Sequence, residues 1–136
     1  MRKPWALRAA TLTAGAGAAL ALTVGSAGAA TVPTTVKLGD TGPAVTCIQQ
    51  GLNLEISAGL TVSGTYDQAT ANAVAKFQSL RLFGQNPLPQ TGVFDSATGG
   101  RLYQVTFFDA GVVNPGDYDG RVKWLFTDKC PEKIPH

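Results

Sequence analysis

A segment of 15 residues that occurs twice constrains this chain more than any other feature. Ser63–Phe77 reads SGTYDQATANAVAKF, and Thr91–Val105 reads TGVFDSATGGRLYQV. Aligned without gaps at an offset of 28 residues, the copies share a hydroxyl residue, a glycine, an aromatic residue, an aspartate and an Ala-Thr pair. Two copies are too few for a solenoid. The repeat therefore predicts one small domain in which two helices begin in the same way.

Each copy has the residues of a turn followed by the start of a helix. Glycine suits the turn, where a side chain would obstruct the backbone, and the next aromatic residue, Tyr66 or Phe94, is expected to enter the core. We expect Asp67 and Asp95 to be N-caps, whose carboxylates accept hydrogen bonds from the free N–H groups of the first turn. The alternative is a catalytic pair of carboxylates, which explains these two positions less well.

The first 30 residues have the pattern of a secretory signal peptide. Arg2, Lys3 and Arg8 form a basic start, an apolar run covers residues 9–24, and small residues follow over 26–30. A transmembrane anchor is the alternative, but threonine and glycine interrupt the apolar run. We therefore expect a mature chain that is secreted or held at the cell envelope, without stable membrane insertion after the signal is removed.

Removal of residues 1–30 changes the charge of the chain. The full sequence has 11 basic and 9 acidic residues, a net charge of +2. Three of the basic residues lie in the first 30, which leaves eight against nine and a net charge of −1. No basic patch for nucleic acid and no polybasic run for anionic lipid is present in the sequence. We expect no nucleic-acid partner, and a monomer.

Three helices are predicted after the signal peptide, over Pro43–Asn53, Asp67–Leu82 and Ser96–Gln104. Gly42 and Pro43 suit the N-cap and first position of the first helix, and the second helix is expected to be the longest. In the third, Gly99 and Gly100 lower helix stability and are expected to mark a close helix crossing. The apolar positions form one face on each of the first two helices: Val45, Ile48 and Leu52, then Ala73, Val74, Phe77 and Leu80.

The chain has two cysteines, Cys47 in the first helix and Cys130 near the C-terminus. In an exported protein the default is one disulfide between them, with two free thiols as the alternative. The bond would tie a C-terminal extension, residues 106–136, to the domain formed by residues 31–105. Trp124 and Tyr118 in this extension are expected to be a lid over the core, rather than an exposed platform for a ligand.

Three segments, taken in order, resemble peptidoglycan-binding domains of the three-helix type. Leu38–Gln49 has the Leu, Gly, two variable residues, Gly, two variable residues, Val and apolar-Gln pair of that family. Gly64–Gln78 is similar to the family's central block of Gly, aromatic, Thr, Ala-Val and Phe-Gln, and Gly92–Leu102 resembles its closing block. Together these segments span about Val36–Gln104, which is most of the chain after the signal peptide.

The resemblance implies an all-α fold, which we expect to be a compact three-helix orthogonal bundle with a C-terminal tail tied on by a disulfide. It also implies reversible binding to bacterial peptidoglycan, the polymer of glycan strands and peptides that forms the cell wall. Fold alone does not decide function, so this partner remains an expectation until the site is described.

The sequence is poor in residues for catalysis. The only histidine is His136, the last residue, so a zinc site built on histidines or a Ser/His/Asp triad would have to recruit the chain terminus. We therefore expect no enzyme, no catalytic residue, no metal site and no cofactor.

Five residues are predicted to contact a ligand made of sugars and peptides. Gln49, Gln50, Gln78 and Arg81 offer polar groups, and Tyr66 offers a hydroxyl at the edge of a groove. The alternative for the glutamines is a solvated helix face. The alternative for Tyr66 is a core position with its hydroxyl at the surface.

Three functions remain open at this point. The first is a secreted, non-catalytic wall-binding module; the second is a secreted interaction or inhibitor protein on the same scaffold; the third is a small hydrolase, which the single histidine disfavours. An exposed groove of glutamine and arginine between the first two helices would favour wall binding. An exposed apolar patch would favour a protein partner.

Overall fold

The computed structural model describes residues 31–112 and 118–136, apart from the side chains of residues 111, 112, 118 and 119. The expected signal peptide, residues 1–30, lies outside the described residues. The elements are β1 (Thr35–Val36), α1 (Pro43–Ile56), α2 (Gln68–Ser79), β2 (Phe94–Asp95), α3 (Ser96–Val112), α4 (Tyr118–Val122), a π-helical turn (Lys123–Thr127) and a 3₁₀ turn (Cys130–Glu132). The prediction of a mostly helical fold is confirmed.

Helix α1 begins as the sequence predicts and ends three residues later. Gly42 is the N-cap, with φ 123°, and Pro43 occupies the first helical position, where its missing N–H costs nothing. The predicted apolar face is buried over its whole length. The helix ends at Ile56, beyond the expected Asn53, because Ser57 is the residue that takes the left-handed conformation, with φ 49°.

Helices α2 and α3 differ from their predicted lengths in opposite directions. α2 ends at Ser79, before the expected Leu82, because the backbone of Leu80 turns to an extended conformation. α3 continues to Val112, beyond the expected Gln104, and has 17 residues against 12 in α2. The prediction that the second helix is the longest is therefore wrong. The boundary expected between residues 105 and 106 falls inside α3.

A two-stranded antiparallel sheet was not expected from the sequence. β1 pairs with β2 in a register that places Thr35 opposite Asp95 and Val36 opposite Phe94. Val36 and Phe94 are both buried. The sheet thus attaches the start of the domain to the residues that lead into α3.

The C-terminal tail covers the core, as predicted. Trp124 is 1% exposed, and its indole N–H donates a hydrogen bond to the carbonyl oxygen of Cys47 over 2.8 Å. The predicted disulfide joins Cys47 to Cys130 with a Cα–Cα distance of 5.4 Å. Closing a loop of 83 residues stabilises the fold by about 4.5 kcal/mol in the chain-entropy model. The role of Trp124 as a lid is confirmed, and its burial contradicts the alternative of an exposed platform. The side chain of Tyr118 lies outside the described residues.

A buried ion pair also joins the tail to α1. Arg121 Nε lies 3.1 Å from Glu55 Oε1, and the Glu55 side chain is 1% exposed. Arg121 Nη2 also donates to the carbonyl of Leu54 and lies 3.9 Å from Asp109 Oδ2 on α3. Burial raises the pKa of Glu55, and the hydrogen bonds and charge of Arg121 only partly offset this effect.

Gly99 in α3 lies against the last residues of the chain. A Cβ at this position would lie 1.6 Å from the carbonyl oxygen of Pro135, which leaves no space for any side chain. Gly100 has nothing within 4 Å of the equivalent point. The close contact expected at these glycines therefore exists at Gly99, but it is made with the C-terminal tail and not with a crossing helix.

Candidate functional site

Gln49 lies in the core and ties α1 to the turn before α2. Its side-chain NH₂ donates to the carbonyl of Thr65 over 2.9 Å and to the hydroxyl of Thr70 over 3.1 Å. Its amide oxygen accepts from the backbone N–H of Gly64 over 3.0 Å. Because the residue is 0% exposed, its amide serves the fold rather than a surface.

Gln78 repeats this arrangement one helix later. Its NH₂ donates to the carbonyl of Val93 and to the hydroxyl of Thr98, both over 2.9 Å. Its oxygen accepts from the backbone N–H of Gly92 over 3.1 Å. The two glutamines were expected either to contact a ligand or to lie on a solvated helix face. In the structure both are buried, and each connects a helix to one copy of the repeated segment by hydrogen bonds.

The two aspartates of the repeat are N-caps, as predicted. Asp67 Oδ1 accepts from the backbone N–H of Thr70 over 2.8 Å and from its hydroxyl over 2.7 Å. Asp95 makes the same two bonds to Thr98 at the same distances. The backbone and hydroxyl bonds from Thr70 lower the pKa of Asp67. Burial pushes the pKa of Asp95 upward, but the bonds from Thr98 outweigh it and the pKa is lowered.

Tyr66 belongs to the core. It is 0% exposed, and its hydroxyl donates to the carbonyl oxygen of Gly92 over 2.8 Å. Burial and, secondarily, the charge of Asp40 raise the pKa of this phenol. The hydroxyl thus connects the two turns of the repeat, which corrects the expectation that it borders a ligand groove.

The structure does not bring the five predicted contact residues together. Three are in the core, as described above. Gln50 is half-buried and lines a depression between α1 and the C-terminal tail. Arg81 is exposed in the loop after α2. The sequence does contain a signal for the two buried glutamines. An apolar-Gln pair precedes each copy of the repeat by a nearly equal distance: Ile48-Gln49 before the first copy and Phe77-Gln78 before the second.

A polar groove does lie between the first two helices, but other residues form it. It has a volume of about 360 Å³ and runs between the segment after α1 and one side of α2. We call it the α2 groove. Its lining includes Thr61, Asp67, Asn72 and Lys76, with an apolar end at Ile56 and Leu60. Asn72 and Lys76 are exposed, so an amide and a cation face the same groove.

A second surface consists of aromatic rings and is called here the aromatic surface. It comprises Phe83, Tyr103, Phe107 and Phe108, which are between 36% and 54% exposed. Phe83 and Phe108 have ring centroids 5.2 Å apart, and Tyr103 and Phe107 are 5.9 Å apart. Phe83 has a left-handed backbone, with φ 50°, a conformation that is unusual for a bulky residue.

Buried Arg101 holds the loop that carries Phe83. Its guanidinium donates to the carbonyls of Leu80 and Asn86 over 3.3 and 2.8 Å, and to the amide oxygen of Gln85 over 3.3 Å. The loop after α2 is therefore fixed at both ends by one α3 side chain. The exposed ring of Phe83 is presented by an ordered loop and not by a loose one.

The described parts of the chain, residues 31–112 and 118–136, have neither a cluster of metal ligands nor a helix that could span a membrane. No three side chains of the types His, Cys, Asp and Glu are grouped there in a way that suits a metal ion. No helix in those parts is both long enough and apolar enough to span a bilayer. His136 lies beside Tyr103, and its Nδ1 is 3.1 Å from the carbonyl oxygen of Ile134.

Comparison with known proteins identifies the segment that contains the repeat. Residues 41–102 match the family model described as a putative peptidoglycan binding domain. No curated protein and no solved structure matches the chain. The matched segment begins two residues before α1 and ends within α3, so it includes both glutamine bridges, both aspartate caps and the α2 groove. Residues 41–102, somewhat less than half of the chain, are thus similar to the peptidoglycan-binding domain family.

Proposed function

We propose that this protein is a secreted, non-catalytic module that binds bacterial peptidoglycan at the cell envelope. The family match over residues 41–102 carries the proposal. The disulfide between Cys47 and Cys130 supports secretion, because such bonds persist in oxidising compartments. The family is one of binding domains, which supports a role without catalysis.

The α2 groove is the part of the matched segment best suited to a glycan–peptide ligand. Asn72 supplies an amide that both donates and accepts, Thr61 a hydroxyl and Lys76 a cation. Arg81, exposed in the loop beyond the end of α2, is a second cation of the matched segment. The groove thus replaces the glutamines as the proposed site, and Arg81 is retained from the sequence prediction.

Sedimentation with purified insoluble peptidoglycan tests the proposal. The oxidised chain from residue 31 onward should sediment with the polymer, and the charge-reversed variant Lys76→Glu, alone and with Arg81→Glu, should sediment less. Lys37→Glu is the matched control, because Lys37 is also an exposed lysine but does not line the groove. Wild-type protein that stays in the supernatant over a range of salt and pH would contradict wall binding. Sedimentation unchanged by both variants would contradict only the α2 groove.

The aromatic surface favours a second candidate function, a secreted protein that binds another protein. Large contiguous apolar patches are rare on the surfaces of monomeric proteins, and where they occur they mark interaction sites. Phe83, Phe107 and Phe108 are exposed side chains without polar groups. If wild-type protein fails to sediment, this surface becomes the leading site, and the variant Phe107→Ser/Phe108→Ser should then abolish complex formation with the partner while leaving the fold intact.

A further inference from the structure

A groove between α1 and the C-terminal tail lies partly outside the family match. Two adjoining depressions of about 280 and 350 Å³ share Gln50, Lys123 and Asp128, so they form one continuous groove, called here the tail groove. Gln50 belongs to α1 and to the matched segment, whereas Lys123 and Asp128 follow residue 102. The groove is therefore composite, and the extension supplies one of its walls.

Basic groups dominate the rim of the tail groove. Lys123 Nζ lies 2.7 Å from Asp128 Oδ2, and 59% of the Lys123 side chain is exposed. Lys133 also lines the groove, and its ammonium donates to the backbone carbonyl of Asp128. Two ammonium groups against one carboxylate leave the rim with a net charge of +1. Such a rim attracts a ligand that carries carboxylates.

The floor of the tail groove suits a peptide. Leu54 and the exposed Val62 contribute apolar surface. The amide of Asn53 is occupied, because it donates to and accepts from the backbone of Leu60 over 2.8 and 2.7 Å. Gln50 is the remaining amide of the lining, and it is half-buried at the centre, where both depressions meet. A side-chain amide in this position can pair with the N–H and C=O groups of an extended peptide.

The disulfide fixes the wall that carries the lysines. Cys130 begins the turn between Asp128 and Lys133 and is bonded to Cys47 of the opposite wall. Lys129, just before it, has a left-handed backbone with φ 51°, which persists in folded proteins where the surroundings hold it. The positions of Lys123 and Lys133 relative to Gln50 are therefore set by a covalent bond across the groove.

We propose that the tail groove binds the carboxylate-bearing peptide portion of peptidoglycan, with Lys123 and Lys133 contacting carboxylates and Gln50 contacting the peptide backbone. This inference rests on the proposed binding of peptidoglycan. It assigns the C-terminal extension a function, since the extension forms half of a ligand site that the matched domain lacks by itself.

Calorimetric titration with a soluble peptide tests the tail groove directly. The probe is a short alanine- and glutamate-containing peptide with free carboxylates, compared with the same peptide in which every carboxyl group is an amide. Wild-type protein, oxidised and from residue 31 onward, should bind the free acid and bind the amide form about tenfold more weakly, as expected for loss of a charge-assisted hydrogen bond. Lys123→Gln/Lys133→Gln should lose about the same factor toward the free acid and show little preference between the two peptides.

Two controls keep the result specific. Lys129→Gln removes an exposed lysine of the same tail that does not line the groove, and it should bind like wild type. Gln50→Leu keeps both lysines and should weaken both peptides equally. Equal binding of the two peptides by wild-type protein, or equal binding of the free acid by wild type and the double lysine variant, would overturn the proposal.

Sedimentation separates this proposal from the function on which it rests. Wild-type and Lys123→Gln/Lys133→Gln proteins that sediment equally with insoluble peptidoglycan would contradict the tail groove and leave wall binding intact. If wild-type protein does not sediment at all, wall binding itself is contradicted, and the peptide titration then decides whether the groove binds carboxylate peptides.

Discussion

Gln49 and Gln78 show why a side-chain amide is required at the two bridges. Each donates to a backbone carbonyl and to a threonine hydroxyl and also accepts from a backbone N–H, and an amide can do this because its NH₂ carries two donors and its oxygen is a separate acceptor. A carboxylate would lose the donors, and an apolar residue would remove the hydrogen bonds to all of these partners. Because the amide pairs with the backbone N–H and C=O groups of the turn, the turn can lie against the core.

Replacement of Gln78 by leucine should destabilise the fold. The variant leaves the N–H of Gly92, the carbonyl of Val93 and the hydroxyl of Thr98 without their amide partner, and we expect a loss of about 3 kcal/mol in the free energy of unfolding. Urea denaturation measures this loss. Gln68→Leu is the control, because Gln68 is exposed and pairs only with Asn72 at the surface, so its change should stay within about 0.5 kcal/mol.

One combination of results would contradict a structural role for Gln78 and support a ligand contact instead. A Gln78→Leu protein with unchanged stability and lost sedimentation with peptidoglycan would mean that the amide contacts the ligand. A destabilised protein that still sediments when folded, at a temperature well below its unfolding transition, agrees with the buried position.

The same residues show what could be read from the sequence at this scale. The caps Asp67 and Asp95 were predictable because each bonds to a threonine only three residues away. The bridges made by Gln49 and Gln78 were not, because their partners lie 14 to 21 residues along the chain. Because glutamine is polar, the sequence favoured a surface position for both residues. In the structure, their amides instead form hydrogen bonds inside the core.

Helix α3 illustrates the limit of local prediction for an element. Its start follows from the repeat, but its end does not, because Val105 and Ala110 belong to a core in which α3 packs against α1 and α4. The two glycines near its start were expected to mark a close helix crossing, but the contact is made by Gly99 alone and with the tail. Which glycine matters, and what it contacts, depends on where Pro135 at the far end of the chain lies.

Single alanine substitutions should separate the two glycines of α3. Gly99→Ala places a methyl group on the carbonyl of Pro135, so the tail must move and the free energy of unfolding should fall by about 2 kcal/mol. Gly100→Ala meets no atom within 4 Å, so it should stabilise the helix by about 0.5–1 kcal/mol. Thermal or urea unfolding of the two variants provides the comparison, and equal effects of the same sign would contradict the described position of the tail.

At the scale of the whole molecule, the tail determines how the domain is closed. The disulfide, the Trp124 contact and the pair of Glu55 with Arg121 all connect residues after α3 to α1. The first two followed from cysteine count and hydrophobicity in the sequence. The ion pair could not be predicted, because a glutamate at the end of a helix normally faces solvent, and only the packing of α4 encloses it.

Asp67 and Asp95 change the stability of the fold with pH in one direction, and Glu55 changes it in the other. The pKa of Asp67 and Asp95 is lowered in the folded protein, so the stability they contribute is present above the ordinary aspartate pKa and is lost as pH falls through the folded value. The pKa of Glu55 is raised, so its contribution is present below the ordinary glutamate pKa and is lost as pH rises through the folded value. A pH profile of the wild-type protein alone therefore mixes two slopes of opposite sign.

Glu55→Gln should isolate the contribution of the buried carboxyl group. Glutamine keeps the shape of the side chain but does not titrate, so the pH-dependent contribution of Glu55 disappears in the variant. The altered contact with Arg121 changes the free energy of unfolding by an amount that does not depend on pH. The free energy of unfolding of wild type minus that of the variant should therefore decrease as pH rises from about 4, the ordinary glutamate range, and level off above the folded pKa. Urea unfolding at intervals between pH 4 and pH 8 measures this difference. Glu132→Gln, at an exposed position of the 3₁₀ turn, should give a nearly flat difference over the same range. A difference for Glu55→Gln that increases with pH would mean that the ion pair with Arg121 outweighs burial and that the carboxyl group is charged more readily in the folded protein than in the unfolded one.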